Sequence, residues 1–128
     1  MRSYCKHVDI TEAAFCEKAV LPFVKGKRHR HDVGNMLKRY GDEKGVAEHV
    51  AACIRERRVE LQPIHYFHRT EPTNGKVREI GKESALHQVY DYVAVNGLME
   101  LFRAKVGFWQ TASIPGRGPI YAQRGIKK

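Results

Sequence analysis

The sequence has few cysteines and no long apolar run. Its three cysteines, Cys5, Cys16 and Cys53, form an odd and widely spaced set. Such a set does not fit a disulfide framework and predicts thiols that pack in a reducing compartment. No stretch approaches the roughly 18 apolar residues of a membrane span, and the first residues lack the apolar segment of a secretory signal. These absences predict a cytoplasmic chain, and 128 residues suit one domain.

Negative charge is also scarce, above all towards the C-terminus. The chain has 23 Lys and Arg against 14 Asp and Glu, which gives a net charge of +9. No acidic residue follows Glu100, whereas basic residues continue to Lys128. This balance favours a polyanionic partner, with nucleic acid first and an anionic membrane surface second.

The apolar spacing predicts an α+β chain that is mostly helical, with one antiparallel β-hairpin. Three helices are expected in an N-terminal helical segment, 1–58. The first kinks or ends at Pro22. Asp32 caps the second, and Gly41 stops it. The third runs from about Asp42 into a cluster of arginines, which suits the negative end of a helix dipole.

The hairpin is predicted from a change of period and from one strong turn signal. Asn74-Gly75 is typical of a tight hairpin turn, so a strand over about 59–69 should return at 76–81. Lys76 and Arg78 then project on one face and can reach adjacent phosphates or a nucleotide triphosphate. The alternative is a solvated hairpin whose cations only blunt its edges. The candidate binding residues around this turn are Arg69, Lys76, Arg78 and Lys82.

A long amphipathic helix is expected from Glu83 to Gly107, followed by a loop and a last helix from about Pro119. Arg117 lies in that loop with a glycine on each side, so the backbone can approach a ligand while the guanidinium binds phosphate. A rigid turn is the alternative. Trp109 in the same loop is a candidate for base stacking, whereas Phe67 and Phe108 are interpreted as core residues.

Three of these motifs occur in the order typical of one enzyme family. The segment from about 58 to 128 resembles the fingers region of bacterial reverse transcriptases of the group II intron and retron type. A strand with Arg-x-Ile is followed by a helix ending in Leu-x-x-x-Phe and by a Ser-x-x-Gly-Arg-Gly loop. The residues that match are Arg78, Ile80, Leu98, Phe102, Ser113, Gly116, Arg117 and Gly118.

The resemblance implies an incomplete fingers subdomain of a right-hand polymerase over 59–128, truncated before the palm. In such enzymes the hairpin closes over the template and the incoming nucleotide triphosphate, which its cations contact. The palm supplies the aspartates that hold Mg²⁺. The four aspartates of this chain lie in its helical pieces instead, so it should contain no catalytic residue. The implied partners are an RNA template, DNA, a nucleotide triphosphate and the palm and thumb of the same polymerase.

Two alternatives do not involve a polymerase. The chain could be a stand-alone basic module that binds nucleic acid, or a domain whose basic face meets an acidic protein. Its histidines do not pair with cysteines at the spacing of a structural zinc site, so no metal ligand is expected in this segment.

Overall fold

The computed structural model describes residues 3–107, 110 and 116–126, with side chains as far as residue 124. The described chain has six helices and one two-stranded antiparallel sheet, which confirms the predicted α+β class. It divides into two compact units. One spans His7–Gly97, and the other joins the residues before His7 to those after Gly97. Within the described residues, no helix combines the length and apolar character needed to cross a membrane.

Four helices build the core of the His7–Gly97 unit: α1 (Ala13–Lys27), α2 (His31–Tyr40), α3 (Glu43–Arg55) and α4 (Ala85–Gly97). Their apolar residues recur every three or four positions and so face inward together. Most of these residues are small or β-branched, which lets the helices pack closely. The buried core comprises Cys16, Ala19, Val20, Phe23, Val24, Val33, Met36, Val46, Ala47, Val50, Ala51, Ala85, Val89 and Val93.

A kink or an end of α1 is predicted at Pro22; the end is wrong, since α1 passes through Pro22 and continues for five more residues. Pro22 lies on the exposed side of the helix, where the carbonyl that loses its backbone partner can bond to water. Phe23 and Val24 follow it and are buried. Their burial holds the last turn of α1 in place despite the missing hydrogen bond.

The junction between α2 and α3 follows the sequence closely. Gly41 ends α2 with a φ of 95°, a conformation that favours glycine. Asp42 then caps α3, because its Oδ1 accepts a 2.7 Å hydrogen bond from the Gly45 N–H. The predicted cap of α2 is wrong, since Arg30 occupies that position and Asp32 lies inside the first turn. Asp32 bonds to Arg30 and to the Val33 N–H instead.

The hairpin consists of β1 (His65–Thr70) and β2 (Val77–Lys82). β1 starts six residues later than predicted, because 59–64 has no partner strand, and β-favouring side chains alone do not make a strand. β2 is shifted by one residue from the predicted return. Nearly every strand side chain is exposed, with Ile80 half-buried. The interpretation of Phe67 as a core residue is therefore wrong, since its exposed fraction is 38%.

The predicted long helix is two helices, α4 (Ala85–Gly97) and α5 (Met99–Lys105). Leu98 separates them with a φ of −97° and a ψ of 3°. Ile10 packs closely against the last residue of α4, since a Cβ at Gly97 would lie 3.0 Å from the Ile10 Cγ2. α4 packs on α1 and α2 in the first unit. α5 belongs to the second unit and ends before Gly107.

The second unit contains α5 and α6 (Pro119–Ile126), and α6 begins at the proline where the sequence predicts a helix. The Glu100 carboxylate accepts a 2.8 Å hydrogen bond from the Cys5 N–H. The Lys105 ammonium lies 5.8 Å from the centre of the Tyr4 ring. These contacts tie the N-terminal residues to α5.

Candidate nucleic-acid interface

The turn of the hairpin is fixed by its own side chains. Gly75 has a φ of 68°, and the Asn74 Oδ1 accepts a 2.9 Å hydrogen bond from the Lys76 N–H. The Glu71 N–H donates to the Lys76 carbonyl, and the Glu71 carbonyl accepts from the Gly75 N–H, both at 2.9 Å. The turn therefore sets the strand register without help from the helices.

That register brings three of the predicted cations to one face. Arg69 lies directly opposite Arg78, and Lys82 is opposite His65. Because side chains alternate along a strand, Arg69, Arg78 and Lys82 share a side of the hairpin, called here the cationic face. Lys76 lies in the turn before β2, where the alternation of strand side chains does not determine which face its side chain is on.

Two cations of the cationic face already have acidic partners. The Arg78 Nε lies 2.6 Å from the Glu71 Oε1, and the Lys82 Nζ lies 3.6 Å from the Asp32 Oδ2. Among the described residues, Arg69 and Lys76 make no ion pair. The cationic face thus keeps a net positive charge, concentrated at the turn end of the strands.

Aromatic side chains are exposed on both faces of the hairpin. Phe67 lies on the cationic face, with its ring centre 6.2 Å from that of His65. Tyr66 lies on the opposite face with an exposed fraction of 60%, and its ring covers the backbone at Gly81. The sequence places Tyr66 among aromatics that could stack on bases if exposed, but it favours Trp109 and does not single out Tyr66. A two-stranded sheet without a covering layer is the signal, since it leaves both faces open.

Arg117 is held inside its own loop in the second unit. Its Nη1 donates to the Gly107 carbonyl at 2.7 Å and to the Gln110 carbonyl at 3.2 Å. The guanidinium carbon also lies 5.6 Å from the centre of the Tyr121 ring. Arg117 therefore joins the two ends of the loop before α6. Trp109, Ser113 and Phe108, the last interpreted from the sequence as a core residue, lie outside the described residues.

Many cations of the helices also have structural partners. Arg28 pairs with Glu43, and Arg55 donates to the Thr11 carbonyl at 3.0 Å. The Lys27 ammonium lies 4.5 Å from the centre of the Phe23 ring and donates to the Tyr92 hydroxyl at 3.2 Å. The net charge of the helices is therefore less available to a partner than their lysine and arginine content indicates.

A cavity of about 500 Å³ lies beside the first turn of α4, between α2, α3 and the segment after α3. The rings of Tyr40 and His49 stack along its wall at 4.3 Å. Burial, and then the charge of Arg39, lower the pKa of His49. Burial, helped by a hydrogen bond with Cys53, raises the pKa of Tyr90. His49 and Tyr90 are therefore neutral near pH 7, whereas the charged residues Asp32, Arg39, Arg58 and Glu60 also line the cavity.

One group of side chains in the described residues has the geometry for a cation. Glu83, His87 and Asp91 follow one another at four-residue spacing, and their ligand atoms lie within 4.8 Å of one another. The His87 Nδ1 is buried and has no hydrogen-bond partner. Exposed acidic groups are common without a metal, so this geometry alone assigns no ion.

The comparisons with protein-family models, with curated proteins and with solved structures each return no match.

Proposed function

We propose that the chain grips the phosphate backbone of a nucleic acid with the cationic face of its hairpin, as the fingers part of a reverse-transcriptase-like polymerase. The observation that carries the proposal is the register that sets Arg69 directly opposite Arg78. Like charges at opposed positions destabilise a sheet, so the fold gains nothing from this pair. A phosphate between the two guanidinium groups relieves the repulsion and accepts paired hydrogen bonds from them.

Exposed aromatic rings beside these cations support a single-stranded or unpaired ligand. Tyr66 and Phe67 are adjacent in β1 and are both exposed. Stacking of a base on such a ring contributes roughly 1–3 kcal/mol, whatever the base. Cations that bind phosphates and rings that stack bases together suit a template strand better than an acidic protein.

The polymerase part of the proposal rests on the order of the motifs and on the use of the aspartates. Asp9 accepts a 2.9 Å hydrogen bond from the Thr11 N–H, Asp42 caps α3, and Asp32 pairs with Arg30 and Lys82. These three carboxylates stabilise the fold, and the fourth aspartate, Asp91, lies in the group with Glu83 and His87. We propose that the palm of the same polymerase supplies the Mg²⁺ ligands, while this segment positions the template and the nucleotide triphosphate.

A stand-alone module that binds nucleic acid is the second candidate. The His7–Gly97 unit has its own core and carries the hairpin. It therefore has the parts for binding without a palm. This candidate shares the cationic face with the first and differs only in what the reading frame encodes next.

Binding is tested with two double variants that remove the same charge. We expect Arg69→Gln/Arg78→Gln to weaken binding of a fluorescent primer–template by about tenfold or more at ~50 mM salt, because two phosphate contacts are lost. The slope of log K against log salt should become shallower by about 1.5. The control, Lys38→Gln/Lys44→Gln, removes two exposed cations on α2 and α3. Equal losses in the two variants would show diffuse attraction and contradict the proposed interface.

The reading frame distinguishes the two candidates. The polymerase proposal requires a Tyr-x-Asp-Asp turn encoded downstream of Lys128 and primer extension by the longer chain with Mg²⁺. A frame that closes at Lys128, together with intact binding of nucleic acid, would leave only the stand-alone module.

A further inference from the structure

The hairpin has little apolar packing to hold it in place. Its strand side chains are exposed apart from the half-buried Ile80, and an isolated two-stranded hairpin is at best marginally stable in water. A cationic face on such an element is useful only if its base is fixed. Lys82, the last residue of β2, lies three positions before the start of α4.

A short chain of charged and polar contacts meets the hairpin at this base. The Asp32 Oδ2 lies 3.6 Å from the Lys82 Nζ. Arg30 holds the Asp32 carboxylate from the other side through hydrogen bonds of 2.5 Å and 3.0 Å, and it donates to the Gln88 side chain on α4 at 3.0 Å. Asp32 therefore joins the start of α2 to β2, and Arg30 links Asp32 to α4.

The contact between Arg30 and Asp32 is more than a solvated ion pair, because both side chains are largely shielded from solvent. The side chains of Arg30 and Asp32 are 21% and 29% exposed, and the paired geometry of the guanidinium with the carboxylate gives a strong, directional contact. Asp32 is thus already oriented when Lys82 reaches it. Lys82 gains its partner without the ordering of two mobile side chains that weakens most surface ion pairs.

We propose that Asp32 is a positioning residue that fixes the base of the hairpin through Lys82, and that Lys82 anchors the hairpin rather than binding phosphate. The inference rests on the proposed function for its binding readout. It changes the role of one predicted contact residue. It also explains why a carboxylate lies beside a cationic face, where it repels a polyanion.

Asp32→Asn distinguishes a positioning role from a simple charge effect, because the two predict opposite changes in affinity for the primer–template. Loss of a negative charge should tighten binding of a polyanion, as we expect for the control Glu48→Gln on the exposed side of α3. Loss of the anchor should instead weaken binding of the primer–template by about threefold to tenfold. Affinity of Asp32→Asn equal to or above that of the original chain would overturn the proposal.

Lys82→Gln and the double variant Asp32→Asn/Lys82→Gln test how Lys82 acts. If Lys82 acts through Asp32, the double variant binds the primer–template no more weakly than the single variant that binds it less tightly. If Lys82 contacts phosphate, the losses of the two single variants add, which would contradict the anchor. Lys82 is 49% exposed, so its substitution leaves the core intact even if Asp32→Asn folds poorly.

Hydrogen exchange of the backbone amides distinguishes failure of this inference from failure of the proposed function. In Asp32→Asn, the amides of β1 and β2 should exchange faster while those of α1 and α3 keep their protection. A chain that does not bind primer–template at low salt refutes the proposed function, yet selective loss of protection in the hairpin still supports the anchor. Unchanged protection of the hairpin refutes the anchor.

Discussion

Gly45 and Gly34 both lie in helices, but the first is tightly packed and the second has open space beside it. A methyl group added at the two positions should therefore have opposite effects. A Cβ at Gly45 would lie 1.9 Å from the Tyr40 carbonyl oxygen. The first turn of α3 therefore touches the end of α2 in a way that no side chain permits. A Cβ at Gly34, inside α2, would meet no atom within 4 Å.

Gly45→Ala and Gly34→Ala should shift the free energy of unfolding in opposite directions. We expect Gly45→Ala to lower it by roughly 2–3 kcal/mol, because the two helices must separate. Gly34→Ala should raise it by about 0.5–1 kcal/mol, because alanine restricts the unfolded chain more than glycine does. Urea unfolding followed by circular dichroism measures both. A Gly45→Ala chain as stable as the original would show that the α2–α3 junction adjusts freely.

At the scale of the hairpin, Glu71 sets how much positive charge a ligand meets. Its Oε1 pairs with the Arg78 Nε, while its Oε2 accepts a 2.9 Å hydrogen bond from the Asn74 side chain. The same carboxylate thus stabilises the turn and partly neutralises the cationic face. A phosphate that binds Arg78 must compete with it.

Glu71→Gln should therefore bind primer–template more tightly, by about threefold beyond the effect of Glu48→Gln. Both substitutions remove one negative charge, but only the first releases Arg78. Glutamine still accepts the hydrogen bond from Asn74, so the turn should persist. Fluorescence anisotropy at fixed salt measures the difference. Equal gains in the two variants would mean that Arg78 contributes only to the overall charge.

The turn of the hairpin could be predicted from sequence, whereas the length of its strands and the helix break could not. Asn74-Gly75 acts locally, so two residues suffice to specify the turn. The length of β1 depends on which residues find a partner strand, and 59–64 finds none. The division of the long helix at Leu98 leaves no mark in the apolar spacing, which continues across it to Leu101 and Phe102.

Part of the candidate site could likewise be predicted from the sequence and part could not. Composition and spacing identified Arg69 and Arg78, but their opposed placement follows from the strand register, which the sequence pattern did not specify. The partner of Lys82 could not be predicted, because Asp32 lies 50 positions earlier and no local pattern links the two. Such a contact depends on how α2 packs beside α4.

At the scale of the whole molecule, acid should destabilise the fold in two stages. Burial, and then Arg39, lower the pKa of His49, so its protonation favours the unfolded chain. Its stabilisation is complete above the unfolded value of about 6.5 and is lost as the pH falls through the lower folded value. The hydrogen bonds of Arg30 lower the pKa of Asp32. Its stabilisation is present above about 3.9 and is lost below that pH.

The midpoint of thermal unfolding should therefore fall between pH 7.5 and pH 5.5 and again below pH 4. His49→Gln should reduce the first fall, because glutamine does not titrate, and should leave the second. It also loses the stacking on Tyr40, so the comparison is between the two pH values within each protein. An unchanged first fall in His49→Gln would assign that stage to another group.

The fixed turn of the hairpin also affects the chemical stability of Asn74. Asparagine followed by glycine is the dipeptide most prone to deamidation, in which the glycine nitrogen attacks the asparagine side-chain carbonyl. Here the Gly75 nitrogen donates to the Glu71 carbonyl, and both ends of the Asn74 side chain are hydrogen-bonded. Cyclisation therefore requires the turn to open first. The contacts that set the strand register also slow the formation of a new negative charge at the tip of the cationic hairpin.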